Sequence, residues 1–256
     1  MLLLIDAGED HGYTLYHGLL ARGIDLQATT VYRWLAKFDR DGWVLSSWSE
    51  PIDGPRRHVY RLTAEGRAAL REMTAVIAAM RDRHSTFLDA HAQAVARRRS
   101  SVVDEAATPI TRDAPVPTPD VTVDLPPVPS AQRGLRPHRE LLVGWLLLQL
   151  DAGATYGYDL RRAFDAQRLS PDPGAMYRML RQLEADKWVQ SRWMNPAAGP
   201  RRRFYRLTGR GRRNLDEIAR LIAAIRDAHE AYLVAYEHAR DRRDAAADSE
   251  VDGGEP

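Results

Sequence analysis

Gly54–Thr63 reads GPRRHVYRLT, and Gly199–Thr208 reads GPRRRFYRLT. The offset of 145 residues holds without a gap far beyond these stretches. Gly12-Tyr13 returns as Gly157-Tyr158, Tyr32-Arg33 as Tyr177-Arg178, Trp43-Val44 as Trp188-Val189, and Ile77-Ala78-Ala79 as Ile222-Ala223-Ala224. Roughly forty per cent of positions agree from residue 2 to residue 90, far above chance at one fixed offset. The chain is a tandem duplication, and whatever one unit does it is built to do twice.

Each repeat spans about 95 residues, enough for one modest core. The chain has no cysteine, which excludes disulfides and thiolate metal sites and favours an intracellular setting. The opening MLLLIDAGED has neither a basic leader nor a cleavage site, and the apolar run Leu141 to Leu150 is too short to span a membrane. The expectation is a soluble, cytoplasmic protein. Its net charge of +2 conceals a segregation: Asp244 to Pro256 holds five acids and no Lys or Arg, so the remainder carries +7. Arginines cluster at Arg56-Arg57, Arg97–Arg99, Arg161-Arg162, Arg201–Arg203 and Arg212-Arg213. Such clusters suit a polyanion partner; the alternative is a solvated, arginine-rich surface.

In the first repeat a short helix follows Gly12, with apolar Leu15, Leu19 and Leu20 and a stop at Gly23. A second helix carries Val31, Leu35 and Phe38 at helical spacing, with Thr29 or Thr30 as its cap, Arg33 and Lys37 on its polar side, and Gly42 at its end. VLSSWSE and RHVYRLT then read as hairpin strands around a turn at Pro51–Pro55. The first repeat opens on LLLLIDAG where the second opens on RELLVGWLLLQLDAG, so its first helix is expected to lack the opening turns. The order is three helices, a basic hairpin and a long helix. A helix of this size fits the major groove, and hairpin arginines can reach phosphate or the minor groove.

HGYTLYHGLLARG, TTVYRWLAKFDRDGWV and GPRRHVYRLTAEGRAAL together resemble the PadR family of bacterial transcriptional regulators. YGYDLRRAF, PGAMYRMLRQLEADKWV and GPRRRFYRLTGRGRRNL repeat the resemblance, which covers roughly 190 residues. It implies a mainly α fold with small β-hairpin wings: two winged helix-turn-helix domains, each followed by a long C-terminal pairing helix. The expected division is a first unit at 1–96, a Pro-rich disordered linker at 97–137, a second unit at 138–243 and an acidic disordered tail at 244–256. The candidate DNA contacts are Thr29, Thr30, Tyr32, Arg33 and Lys37 in the first recognition helix, then Gly174, Tyr177, Arg178 and Arg181 in the second. Tyr13 and Tyr158 are expected at phosphate, with Arg56, Arg57, His58, Arg201, Arg202 and Arg203 on the wings. Core packing is the competing role for Tyr32 and Tyr177, and wing arginines are expected to hold phosphate without reading sequence. Asp159, Phe164, Pro171, Asp172 and Pro173 depart from their first-repeat counterparts, so the two units are expected to differ in base preference or in whether both bind.

After Thr63 a helix is predicted to about Ala96, with a heptad seam of Leu70, Met73, Ile77, Met80, His84 and Phe87. The second repeat gives Leu215, Ile218, Ile222, Ile225, His229, Tyr232 and Tyr236. The resemblance implies dimerisation through this helix, and pairing within one chain competes with pairing between two. The linker, with eight prolines, averages on the order of 35 Å end to end, near the spacing of successive major grooves on one face of DNA. His84 and His229 suit a register-fixing hydrogen bond, with a pH-responsive pair as the second reading. Trp43, Trp48, Trp188 and Trp193 are assigned to core or hairpin packing. No metal-ligand pattern, nucleophile elbow, phosphate loop or dinucleotide fingerprint is present, so neither an enzyme nor a cofactor is expected. The reading is a double-stranded-DNA-binding regulator, a repressor by family resemblance. The alternatives are a protein-interaction module and a ligand sensor responding to a small-molecule effector.

Overall fold

The computed structural model describes residues 1–8, 10–49, 56–104, 139–153, 155–166, 169, 172–194 and 201–252. The turn Pro51–Pro55, Gly199-Pro200, Pro171 and most of the Pro-rich stretch lie outside these. The first winged helix comprises α1 (Leu2–Asp6), α2 (Gly12–Ala21), α3 (Ala28–Arg40), β1 (Val44–Ser49) and β2 (Arg57–Leu62). The long helix α4 (Ala64–Asp104) follows. The second set is α5 (Arg139–Asp151), β3 (Thr155–Tyr156), α6 (Gly157–Ala166), α7 (Pro173–Ala185), β4 (Val189–Met194), β5 (Arg202–Leu207) and α8 (Gly209–Asp252). Two winged helix-turn-helix folds are present, as the pattern predicts. Both long helices outrun the sequence reading. α4 continues past Ala96 to Asp104, and α8 continues through the acidic residues to Asp252.

Each wing is an antiparallel pair in the same register, Val44 opposite Leu62 and Val189 opposite Leu207. The second gains a strand the hairpin pattern does not predict: β3 pairs with β5, giving the order β3-β5-β4. In the first repeat an isolated His11–Val59 bridge stands there.

The Y-R-L-T motif ties the wing to the helices around it. Thr63 Oγ1 donates to Gly42 O at 2.7 Å and accepts from Gly66 N at 2.9 Å. Thr208 repeats this, donating to Lys187 O at 2.9 Å and accepting from Gly211 N at 3.0 Å. The glycine of the next helix is needed for contact: a Cβ on Gly66 would lie 1.9 Å from Trp43 O, and one on Gly211 would lie 2.1 Å from Trp188 O. Helices α3 and α7 end alike. Trp43 N reaches Phe38 O and Trp188 N reaches Leu183 O, both at 2.8 Å, closing the last turn over a left-handed residue. That residue is Gly42 (φ 74°) in the first repeat but Lys187 (φ 60°) in the second. A side chain there is strained, so Lys187→Gly should stabilise the protein by about 1 kcal/mol, read as a rise in Tm. The cap at the other end of α3 is not a threonine. Gln27 occupies that position, and Thr29 and Thr30 lie inside the first turn.

The chain divides into two compact units, Met1–Ala78 with the segment from His229, and Ala79–Ala228. The first unit buries Leu2–Ile5, Leu15, Leu19, Val31, Leu35, Val44, Tyr60, Leu62 and Leu70 together with Ala239 of α8, and Tyr232 and Tyr236 pack against them. The second buries α5 and the second winged helix around Phe87 and Ala94 of α4. So each winged helix shares a core with the distal part of the other repeat's long helix. Of the seam residues, Leu70, His84, Phe87, Leu215 and Ile222 are buried, while Ile77, Met80, Ile218, Ile225, His229, Tyr232 and Tyr236 are half-buried. Met73 is 38 % exposed and does not belong to the seam. At its near end the helix follows i, i+4 contacts through Gly66, Leu70 and Thr74 instead, and Thr74 Oγ1 lies 3.2 Å from the Tyr232 hydroxyl.

Candidate DNA interface

Val31 and Leu35 turn into the core and leave Thr29, Tyr32, Arg33, Trp34 and Lys37 on the outer face of α3. In α7, Met176, Leu180 and Leu183 are buried, and Gly174, Tyr177, Arg178 and Arg181 stand outside. Thr30 is half-covered. Lys37 is paired with Asp41 one turn on, and Arg181 Nε lies 3.5 Å from the Tyr177 carbonyl.

The Gly-Tyr motif has a geometric explanation. A Cβ on Gly12 would lie 2.5 Å from Tyr32 Cε1, and one on Gly157 would lie 3.0 Å from the Tyr177 hydroxyl. The glycine lets the recognition-helix tyrosine lie flat against the start of the preceding helix. Tyr32 and Tyr177 thus pack on that glycine while remaining 48 % and 45 % exposed. The tyrosine after the glycine points outward, Tyr13 at 68 % and Tyr158 at 73 % exposure. These phenols stand beside the recognition helices with hydroxyls able to donate to phosphate.

On the wings, Arg56, Arg57, Arg201 and Arg202 are exposed. Arg201 lies over the Trp193 ring at 5.5 Å and Arg202 over Tyr156 at 5.9 Å. His58 stacks on its cross-strand partner Trp48, with centroids 4.8 Å apart, and its Nδ1 is 2.9 Å from the Tyr60 hydroxyl. Trp48 and Trp193 thus serve the hairpin surface, whereas Trp43 stacks on Phe38 against the edge of the core. Arg203 is otherwise engaged: its Nη2 donates to Glu184 Oε2 at 2.6 Å and its Nε to Ser191 Oγ at 2.9 Å. It braces wing to recognition helix instead of facing outward. Burial pushes the phenols of Tyr60 and Tyr205 above their ordinary value, so both stay protonated within these networks.

The PadR-like transcriptional regulator family matches the chain twice, at residues 1–72 and 146–217. Together these segments cover more than half of it. The chain belongs to the PadR-like family. Among solved structures it is similar to a PadR family regulator from Eggerthella lenta, with 28 % identity over 37 % of this chain and 83 % of that one, at a TM-score of 0.34. A PadR-like transcription factor from Bacteroides fragilis gives 28 % identity over 37 % and 89 %, at 0.32. A PadR family regulator from Clostridium difficile gives 22 % over 36 % and 97 %, at 0.34. No curated protein matches the chain.

This PadR-like chain also holds buried ion pairs that the sequence pattern does not single out. Asp6 and Asp151, in the repeated D-A-G, have side chains only 3 % and 1 % exposed. Arg243 Nη1 donates to Asp6 Oδ2 at 2.8 Å within the first unit, and Arg98 Nε lies 3.0 Å from Asp151 Oδ2 within the second. Arg98 and Arg243 are themselves related by the repeat offset, as are the two aspartates, and that shared offset was the available signal. Trp34 is exposed beside Arg33 on α3.

Among the described residues no group of three or more His, Cys, Asp or Glu could hold a metal ion, and no helix is long and apolar enough to cross a membrane. Burial pushes the His229 imidazole below its ordinary value, so the folded protein favours the neutral ring. Stability should therefore fall as pH drops below about 6.5, where the unfolded ring protonates, and level off once the folded ring does too. A Tm series from about pH 8 to about pH 5 checks this, with the fall reduced in His229→Leu.

Proposed function

We propose that this chain is a cytoplasmic DNA-binding repressor whose two winged helices grip one duplex, so that a single polypeptide does the work of a dimer. The functional division follows the repeat: PadR-like units at 1–96 and 138–243, joined by 97–137, with an acidic end from 244. One observation carries the reading. The pairs Arg98–Asp151 and Arg243–Asp6 occupy matched positions, each joining one repeat's long helix to the buried D-A-G aspartate of the other repeat. Exposed recognition-helix arginines on both repeats, with outward tyrosines and wing arginines beside them, supply the cationic and hydrogen-bonding face that a duplex requires. Repression follows most simply because occluding a promoter needs only binding.

The test is binding of the full chain to its own upstream DNA across a salt series, beside Arg56→Ala/Arg57→Ala and Arg201→Ala/Arg202→Ala. Each double substitution removes up to two phosphate contacts, so the slope of log K against log salt should flatten by about 2. An unchanged slope for either pair would remove that wing from the interface.

A further inference from the structure

The two recognition helices present different chemistry at equivalent positions. Helix α3 begins with Gln27 as its cap, making no side-chain cap hydrogen bond, then Ala28, Thr29 and Thr30. Helix α7 begins with Asp172 as its cap, then Pro173, Gly174 and Ala175, and the carboxylate accepts from Ala175 N at 2.9 Å. Its second oxygen lies 3.6 Å from Arg178 Nη2, with both side chains about two-thirds exposed. Gly174 makes room for this pair, since a Cβ there would sit 3.0 Å from Asp172 Oδ1 and 3.1 Å from Arg178 Nη1. The first repeat places Thr29 at that position and Gln27 at that of the aspartate, and among the described residues Arg33 has no ion-pair partner. Further along, Lys37 is replaced by Gln182, which donates to both oxygens of Asp186, and the half-buried Met179 stands where α3 exposes Trp34.

These differences fall on the surface that reads bases, not in the core. An arginine suits guanine O6 and N7 in either helix, whereas hydroxyls and a carboxylate do not accept the same neighbours. Threonine donates, accepts and packs a methyl group on thymine. A carboxylate only accepts, and in the major groove the available donors are the exocyclic amines of cytosine and adenine. It also repels phosphate, so Asp172 is tolerated only where a base amine or Arg178 satisfies it.

We propose that the natural ligand of this chain is a non-palindromic duplex, one half read by Thr29, Thr30 and Arg33 and the other by Arg178 together with Asp172, the latter half marked by a cytosine or adenine amine facing the carboxylate. This inference rests on the DNA-binding reading above. It departs from the palindromic site that two identical recognition helices would select.

The experiment is selection of bound sequences from a randomised duplex pool by the full chain, repeated with Arg33→Ala, Arg178→Ala and Asp172→Asn. The asparagine keeps the helix cap while removing the charge. The expected result is a site with two unlike halves. Arg33→Ala should flatten the preference in one half and Arg178→Ala in the other. Asp172→Asn should relax one amine-bearing position in the Arg178 half alone, and duplexes symmetrised to either half should bind about tenfold or more weakly. A palindromic consensus would overturn the inference while leaving the DNA-binding reading intact. An asymmetric site unaffected by Asp172→Asn would overturn the role given to the carboxylate. Recovery of no preferred sequence would overturn both the inference and the reading beneath it.

Discussion

Phe87→Ala is expected to destabilise the unit containing the second winged helix by about 3–5 kcal/mol, although Phe87 belongs to the first repeat. The ring is fully buried. It meets Trp145 edge-on at 5.6 Å and fills the space over Gly144, where a Cβ would approach within 2.9 Å. Neither neighbour can collapse into the hole, because the helix backbone at Gly144 already makes the closest approach and Trp145 is itself buried. The cost should therefore lie at the full large-to-small value. Hydrogen exchange locates the effect: peptides across 139–207 should exchange faster in the variant, while those across 12–62 keep wild-type protection. Faster exchange confined to the first winged helix would contradict the shared core described here. Phe87→Leu, which keeps most of the volume, should lose far less.

The second large effect is on binding. Arg33→Ala and Arg178→Ala should each weaken operator affinity by about 1–3 kcal/mol, and the double substitution by about the sum, on the order of a hundredfold or more. Both side chains are exposed, so the variants should fold normally and keep their Tm. Titration of a labelled duplex by anisotropy separates this from the wing substitutions. Loss of a base contact lowers specific affinity and leaves non-specific binding nearly unchanged, whereas loss of a phosphate contact weakens both. Arg203→Ala belongs to neither class. Its guanidinium is held by Glu184, so its loss should loosen the wing before it affects the salt slope.

Much of the fold was legible because local signals agreed with the tertiary result. The buried Val31 and Leu35 sit where helical spacing places them, and Gly42 ends α3 in the left-handed conformation that its identity suggests. The repeat made each assignment checkable against its counterpart. Other features depend on contacts between distant residues. Met73 fits a heptad, yet the near part of α4 is bound to its own wing through Gly66, and that contact sets an i, i+4 pattern that turns Met73 outward. The threonines of α3 are good caps in principle, but the helix starts two to three residues earlier than they require. Arg203 looks like its neighbours in sequence, and only the approach of Glu184 and Ser191 sets it apart. The Asp6 and Asp151 ties are not legible in the local sequence, because an arginine far along a helix gives no local sign of the carboxylate it reaches.

If one chain supplies both DNA-gripping winged helices, native mass spectrometry of the full chain on its minimal selected duplex should show one polypeptide per duplex at saturation, with a stoichiometry unchanged by Asp172→Asn. Two polypeptides on every duplex, with none of the one-to-one complex, would contradict it.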